Sequence, residues 1–111
     1  MEAALKAIAE PRRRQILRLV WDAERSAGDI ASHFDISRPA ISQHLTVLRT
    51  VGLVTERRDG ARRLYSANRD ALAELQDSLE AFWTGRLAAL KEEVEAEEGR
   101  RRGRRRVHRQ Q

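Results

Sequence analysis

The chain has 111 residues, no cysteine and a formal net charge of +5. This length suits one small domain with an appendage and is too short for a two-domain enzyme, and the lack of cysteine excludes disulfides and thiolate metal sites. No apolar run approaches the length of a membrane span and no leader is visible, so we expect a cytoplasmic protein without membrane insertion.

The positive charge is concentrated in two places. Residues 100–111 contain seven Arg and no acid, whereas residues 1–99 contain 15 Lys and Arg against 17 Asp and Glu. Between Ser37 and Arg63, six Arg accompany only two acids. A mildly acidic body with one basic strip and a basic end is expected of a protein that binds a polyanion from one side.

Two short helices are predicted at the start of the chain. Residues 2–9 are rich in helix formers and carry Leu5 and Ile8 on one face. Pro11 is favoured at a first helical position, so it starts a second helix that is expected to run to about Asp22. The arginines that open this helix are either solvated or placed to touch phosphate: Arg12, Arg13 and Arg14.

A helix-turn-helix pattern follows. Ser26 begins a capping-box variant that leads into a third helix, whose packing residues are Ile30, Ala31 and Phe34. After a tight connection, Ser37 is a good N-cap, Pro39 suits the first turn, and Gly52 suits the position that ends a helix. Two short helices joined in this way, the second polar outside, are typical of a helix-turn-helix.

The fourth helix has an apolar side and a polar side. Ile41, Leu45 and Leu48 share one face at the i, i+4, i+7 spacing. The other side offers hydrogen bonds that can read base edges, and a helix fits the major groove of B-form DNA. Its residues are Arg38, Ser42, Gln43, Thr46, Arg49 and Thr50. A plain solvent-facing helix is the alternative, and His44, on the flank, is expected either to pack or to contact phosphate.

A β-hairpin is predicted after the fourth helix. Asp59-Gly60 is a strong turn signal between the segments 53–58 and 62–66. A hairpin after such a helix is a wing, and its arginines can grip phosphates or enter the minor groove. The four arginines near the tip are Arg57, Arg58, Arg62 and Arg63. The alternative is an edge hairpin that its charge keeps from aggregating.

A long final helix is predicted from Arg69 to about Glu98, with Asn68 as its cap. Apolar residues recur along it at three- and four-residue steps: Leu72, Leu75, Leu79, Phe82 or Trp83, Leu87, Leu90 and Val94. About thirty residues extend about 45 Å at the standard helical rise, which is longer than the body of a small domain. We therefore expect a second copy of the chain to cover this stripe together with the first helix.

The end of the chain, residues 99–111, is uniformly basic and is predicted to be disordered. It either adds non-specific affinity for nucleic acid by counterion release or serves only solvation.

No catalytic or metal-binding pattern is present. His33, His44 and His108 are scattered without the spacing of metal ligands. Carboxylates occur as surface charge on helices, and no Gly-rich phosphate loop, nucleophile elbow or acid/base pair is visible. We predict no enzymatic activity, no metal and no cofactor.

Three parts of the chain form a recognisable combination: the run from Leu5 to Leu17, the pattern Ser-x-x-x-x-Ser-x-His-Leu-x-x-Leu-x-x-x-Gly-Leu-Val from Ser37 to Val54, and Arg57-Arg58-Asp59-Gly60 with Tyr65. This combination resembles the ArsR family of bacterial winged-helix repressors. The resemblance covers about residue 3 to 95. It implies a homodimer that occupies a palindromic DNA operator and blocks transcription. It also implies that the wing arginines serve DNA and that four residues meet the major groove: Arg38, Pro39, Ser42 and Gln43.

The chain departs from the metal-sensing members of that family. Many of them carry Cys-x-Cys where this chain has Ile30-Ala31-Ser32, or Asp and His ligands on the last helix. The segment Phe82-Trp83-Thr84-Gly85-Arg86-Leu87 resembles instead the metal-free SdpR-like branch, whose terminal helix carries a Trp followed by Arg-Leu. The inducing signal, an unknown protein or small molecule, is left open.

These observations predict a mainly α winged helix-turn-helix, ordered α-α-α-α-β-β-α over 1–98, with the tail 99–111. The expected DNA contacts are Ser37, Arg38, Pro39, Ser42, Gln43, His44 and Thr46 on the recognition helix and Arg57, Arg58, Arg62 and Arg63 on the wing. The expected dimer interface is Leu5, Ile8, Leu75, Leu79, Phe82, Trp83, Leu87 and Leu90. Two alternatives stay open: a winged-helix protein-interaction module, and a low-specificity nucleic-acid binder driven by the Arg-rich tail.

Overall fold

The computed structural model describes the backbone of residues 1–109 and the side chains through Gly103. The chain forms two compact units, Met1–Gln76 and the residues from Asp77 onward. Its helices are α1 (Glu2–Ala9), α2 (Pro11–Leu19), α3 (Ala27–Ala31), α4 (Arg38–Thr50) and α5 (Arg69–Arg109), and its strands are β1 (Arg25–Ser26), β2 (Val54–Asp59) and β3 (Arg62–Ala67). Within the described residues, no helix is both long and apolar enough to span a membrane.

The sheet contains one strand more than the predicted hairpin. Strands β2 and β3 pair antiparallel from Val54↔Ala67 to Asp59↔Arg62, which confirms the hairpin and its turn at Gly60. Strand β1 pairs antiparallel with the other side of β3, giving the order β1-β3-β2. A strand of two residues is too short to show an alternating pattern, so the sequence does not reveal it.

Three predicted helix caps are present. Ser37 Oγ accepts a hydrogen bond from the Ala40 amide at 3.3 Å. Ser26 Oγ accepts from the Asp29 amide at 3.2 Å and starts α3. Asn68 Oδ1 accepts from the Ala71 amide at 3.2 Å and starts α5. Each cap satisfies an amide that has no partner within its own helix.

Helix α2 ends at Leu19, earlier than the predicted end near Asp22. The carbonyl groups that would continue it accept hydrogen bonds from elsewhere in the chain. Leu19 O accepts from Arg25 Nε at 2.8 Å, and Val20 O accepts from the Ala67 amide at 2.9 Å. Trp21 O accepts from the Arg69 guanidinium at 2.7 and 3.1 Å. These bonds join the end of α2 to the sheet and to the start of α5.

The core of the first unit fixes the orientation of α4. Ile41, Leu45 and Leu48 are at most 1% exposed, which confirms the predicted inner face of that helix. They belong to a single cluster with side chains from α1, α2, α3 and the segment leading into the hairpin: Ala7, Ile16, Leu17, Val20, Ile30, Leu53 and Val54. Because the inner face is buried, the opposite face of α4 must point to solvent.

Helix α5 continues to Arg109, past the end predicted near Glu98. Arginine is a good helix former, so a run of arginines does not by itself end a helix. Glu97 also pairs with Arg100 at 2.9 Å and with Arg101 at 3.5 Å, at the spacings that support a helix. The backbone through Arg109 is therefore helical where the sequence predicts disorder, and residues 110 and 111 lie outside the described part.

Replacing Gly52 by alanine should destabilise the protein by about 1–2 kcal/mol, because Gly52 has φ +81°, a left-handed conformation that disfavours a Cβ. Urea unfolding followed by circular dichroism measures the change. Gly85→Ala is the matched control, since Gly85 lies within α5 and a Cβ there meets nothing within 4 Å. A Gly52→Ala variant as stable as the wild type would contradict this expectation.

Candidate nucleic-acid interface

The outer face of α4 is polar and exposed. Thr46 Oγ1 donates to Ser42 O at 2.9 Å, so this hydroxyl is directed back along the helix. The Gln43 amide has no partner among the described residues, which leaves its donor and acceptor free for a base edge. Six of the seven predicted reading residues are exposed: Ser37, Arg38, Pro39, Ser42, Gln43 and Thr46.

Val47 is an exposed apolar residue beside these polar groups. Its side chain is 36% exposed and lines a shallow depression that also includes Gln43 and Thr46. An apolar group at such a place can contact a thymine methyl group. The sequence pattern did not identify Val47, although its position four residues after Gln43 places it on the same side of the helix.

His44, the seventh predicted residue, faces the start of α2. Its side chain is 17% exposed. Nδ1 lies 3.4 Å from Arg13 Nη1 and 3.9 Å from Glu10 Oε2. These contacts favour the packing role over the phosphate contact that the sequence also allowed.

Arg13 and Arg14 close the end of α1. Arg13 Nε donates to Ala7 O at 2.6 Å, and Arg14 Nη1 donates to Ile8 O at 2.6 Å and to Ala9 O at 2.9 Å. The last carbonyls of a helix have no partner within it, so these side chains satisfy them. Arg14 is exposed, as a solvated first turn predicts, and Arg13 is half-buried; both also cap the end of α1, a role that the sequence did not indicate.

Glu56 links the end of α4 to the hairpin. Its Oε2 lies 2.6 Å from Arg49 Nη1, and its Oε1 lies 3.3 Å from Arg63 Nε. The Glu56 side chain is only 16% exposed, so the pairs are partly shielded from water. One carboxylate therefore links α4 to strand β3 and pairs with two arginines of the basic strip.

Glu24 holds one of the four wing arginines. Arg57 donates from Nε to Glu24 Oε2 and from Nη2 to Glu24 Oε1, each at 2.9 Å. These hydrogen bonds lower the pKa of the Glu24 carboxyl below its ordinary value and raise the pKa of Arg57 above its own. Arg58 and Arg62 have no ion-pair partner among the described residues. The wing arginines are thus not equivalent.

The apolar residues predicted to form a dimer interface differ in exposure. In the first unit, Leu5 and Ile8 are half-buried, whereas Leu75 is 8% exposed and has little surface left for a partner. In the second unit, Leu79 is half-buried and the next four are exposed: Phe82, Trp83, Leu87 and Leu90. Exposed apolar residues grouped along one element mark an interaction surface.

A metal site in a protein needs several ligating side chains close together. Among the residues that the structure describes, no group of three or more His, Asp or Glu residues is arranged to hold a metal ion.

Comparison with known proteins places the chain among bacterial regulators. Residues 10–56 match the family model described as bacterial regulatory protein, arsR family. The chain is 36% identical to the HTH-type transcriptional regulator Rv2034 of Mycobacterium tuberculosis, over 86% of this chain and 90% of that protein. It is 43% identical to the transcriptional repressor SdpR of Bacillus subtilis, over 71% of this chain and 84% of SdpR.

A solved structure supports the same assignment of the fold. It is the solution NMR structure of the homodimeric winged helix-turn-helix DNA-binding domain of Mb0332 from Mycobacterium bovis, a possible ArsR-family transcriptional regulator. The TM-score is 0.61 at 33% identity, with 73% of this chain and 75% of that chain covered. The predicted winged helix-turn-helix is confirmed, with strand β1 as an addition.

Proposed function

Since the chain belongs to the ArsR family of bacterial transcriptional regulators, whose members are not enzymes, we propose that it is a homodimeric repressor that reads a palindromic operator. The observation that supports this most is the outer face of α4, exposed and polar beside a basic hairpin. The inner face of α4 is buried in the core, so the side chains proposed to read DNA lie on a rigid element.

In this proposal α4 enters the major groove. Gln43 can form a bidentate pair with adenine, Arg38 can donate to guanine, and Ser42 can pair with several bases. Val47 supplies an apolar contact to a thymine methyl. The dipole at the start of α4 also favours a phosphate near Ser37.

The hairpin would hold the DNA backbone or enter the neighbouring minor groove. Arg58 and Arg62 are available for this without breaking any ion pair with a described residue. Arg57 must first exchange Glu24 for a phosphate. Of the four hairpin arginines, Arg58 and Arg62 are therefore available to DNA at once, whereas Arg57 and Arg63 already pair with acids of the chain.

The dimer would pair α1 and the apolar stripe of α5 with the same elements of a second chain. Leu5 and Ile8 contribute from α1, and Phe82, Trp83, Leu87 and Leu90 contribute from α5. A two-fold axis would then place two copies of α4 about one helical turn of DNA apart. We further propose a cytoplasmic location and an inducer, protein or small molecule, that is not a metal ion.

Selection of bound fragments from random duplex DNA tests this function. The proposal expects an enriched motif with two-fold symmetry and half-sites about one helical turn apart. The absence of any enrichment over the input would overturn it and favour a protein-interaction module.

Deleting residues 100–111 should mainly flatten the salt dependence of DNA binding, while the preference for the selected operator is kept. The segment carries seven Arg, and each phosphate contact contributes about 0.9 to the slope of log K against log salt. Fluorescence anisotropy over a salt series measures both quantities. A full-length variant with those arginines changed to Gln controls for chain length. Loss of all binding would indicate a low-specificity binder driven by the tail.

Replacing Glu24 by Gln should tighten binding to duplex DNA of any sequence, because it frees Arg57 to contact a phosphate. The slope of log K against log salt should steepen by about 0.9 for one added phosphate contact. Glu92→Gln on α5 is the matched control, since it changes the net charge equally. Equal slopes for the two variants would contradict the role assigned to Glu24.

A further inference from the structure

An apolar groove lies in the first unit, where α1, the end of α2 and the first turns of α5 meet. Its volume is about 450 Å³, a size found for sites that bind small molecules. We propose that it binds a small carboxylic acid with an apolar ring or branched chain, and that this acid is the inducer. The inducing role rests on the proposed function, whereas the ligand site depends on the groove alone.

The apolar lining of the groove suits the body of such a ligand. Four side chains provide it: Ile8, Leu17, Trp21 and Leu72. Leu17 belongs to the core, and Ile8 and Leu72 pack against that core while half-buried. Trp21, by contrast, is 40% exposed. An indole beside aliphatic side chains is a surface on which a ring or branched chain can pack, and covering it removes apolar area from water.

The charged residues of the groove favour an anion. Arg18 has no side-chain partner in the described part of the chain, so its guanidinium can donate to a carboxylate. Arg14 uses Nη1 for two carbonyl groups at the end of α1, and its other nitrogens have no partner among the described residues. Asp22, the one acid among the described lining residues, lies 3.2 Å from Arg69 Nη2. The unpaired charge of the groove is therefore positive.

The groove adjoins the contact that holds the start of α5. The guanidinium of Arg69 lies 5.5 Å from the centroid of the Trp21 ring and donates to Trp21 O at 2.7 and 3.1 Å. Leu72, one turn further along α5, lines the groove itself. A ligand that packs against Trp21 and Leu72 therefore contacts both α5 and the segment that anchors it.

This location connects the groove to the proposed dimer. Ile8 lies on α1, and α1 and α5 are the elements that we expect to pair two chains. A ligand that shifts them changes the spacing of the two copies of α4. A ligand moves such an equilibrium when it binds one arrangement more tightly than the other. An acid that fits the groove better in the arrangement without DNA thus weakens operator binding.

Titration of the full-length protein with small acids tests the site. The test ligands are 3-phenylpropanoate, 4-phenylbutanoate and 4-methylpentanoate, each compared with its neutral amide. At least one acid should shift the NMR signals of Ile8, Trp21 and Leu72 with a dissociation constant of about 1 mM or lower, and about fivefold below that of its amide. The absence of saturable shifts with all three acids would overturn the proposal.

Replacing Arg18 by Gln should remove most of the preference for the acid over its amide, and the affinity for the amide should stay the same. Arg12→Gln is the matched control, because it removes an exposed arginine from the same helix but outside the groove. That control should keep the preference. Equal losses in the two variants would reduce the preference to an effect of net charge and overturn the site.

The inducing role is tested on the selected operator. Saturation with the tightest acid should weaken operator binding by the wild type about fivefold or more, and Arg18→Gln should need about fivefold more acid for the same loss. An acid that occupies the groove without changing operator affinity would overturn the inducing role and leave the repressor function intact. Failure to select any operator, with the acid still bound, would instead remove the proposed function and leave the ligand site.

A second copy of the chain is the other occupant that these measurements can reveal. If side chains of the partner fill the groove in the dimer, the NMR signals of Ile8, Trp21 and Leu72 should change on dilution and should not respond to the acids. This result would assign the groove to the dimer interface and overturn the proposal.

Discussion

Replacing Gln43 by alanine should weaken binding to the selected operator by about 1–3 kcal/mol, the range for one good bidentate pair with a base. Non-specific binding should change little, because Gln43 is uncharged and contributes no counterion release. The affinities for operator and for random duplex, measured at one salt concentration, give the specificity ratio. Gln15→Ala is the matched control, since Gln15 is exposed on α2, away from the reading face.

A second measurement separates base reading from a loss of structure. If Gln43 reads one base pair, the variant should no longer distinguish the four bases at that position, whereas all other positions keep their preferences. A uniform loss of affinity across every operator variant would contradict direct reading by Gln43. The free energy of unfolding should be unchanged, since the side chain has no partner among the described residues.

Replacing both Leu87 and Leu90 by Glu should weaken dimerisation by about 10²- to 10⁴-fold. The two side chains are 59% and 55% exposed in one chain, so their burial is expected only against a partner. Fully burying a leucine contributes about 1.5–3 kcal/mol, and about half of each side chain is left for a partner to bury. The four leucines of a symmetric dimer therefore contribute about 3–6 kcal/mol, which is roughly 10²- to 10⁴-fold. Sedimentation equilibrium measures the dissociation constant. Binding of the variant to half-site and full operators should also be compared. The variant should lose affinity for the full operator and keep its affinity for a half-site.

Ala88→Glu with Ala96→Glu provides the control for charge. Both alanines are exposed on α5 and lie on the side away from the leucines. The doubly substituted control adds the same two acids and should stay dimeric. A Leu87→Glu, Leu90→Glu variant that remains dimeric at nanomolar concentration would exclude this part of α5 from the interface.

The features that the sequence predicts correctly are those set by neighbouring residues. Ser37 and Gly52 mark the ends of α4, and Asp59-Gly60 marks the hairpin turn, because caps and turns depend on local backbone chemistry. The exposed face of α4 follows from a helical period of 3.6 residues. The candidate reading surface is therefore visible in the sequence except for Val47, which lies at its edge.

The features that the sequence does not reveal depend on distant partners. Glu24 and Arg57 are 33 residues apart, so only the folded chain shows that this arginine is already paired. The sequence predicts Arg13 and Arg14 only as surface charge, whereas in the folded chain both donate hydrogen bonds to carbonyl groups at the end of α1. A net charge counted along the basic strip overstates the cations that can reach DNA, because acids from other elements neutralise some of them.

The pairing of Arg57 with Glu24 has a consequence for the search through a genome. A chromosome offers about 10⁶–10⁹ competing non-specific sites. A regulator that binds all of them tightly has little free protein left to occupy its operator. An arginine retained by an acid of its own chain contributes little to these encounters. In the proposed function, Arg57 must leave Glu24 before it can contact a phosphate at any DNA site, so this ion pair lowers the affinity for the competing sites of a chromosome.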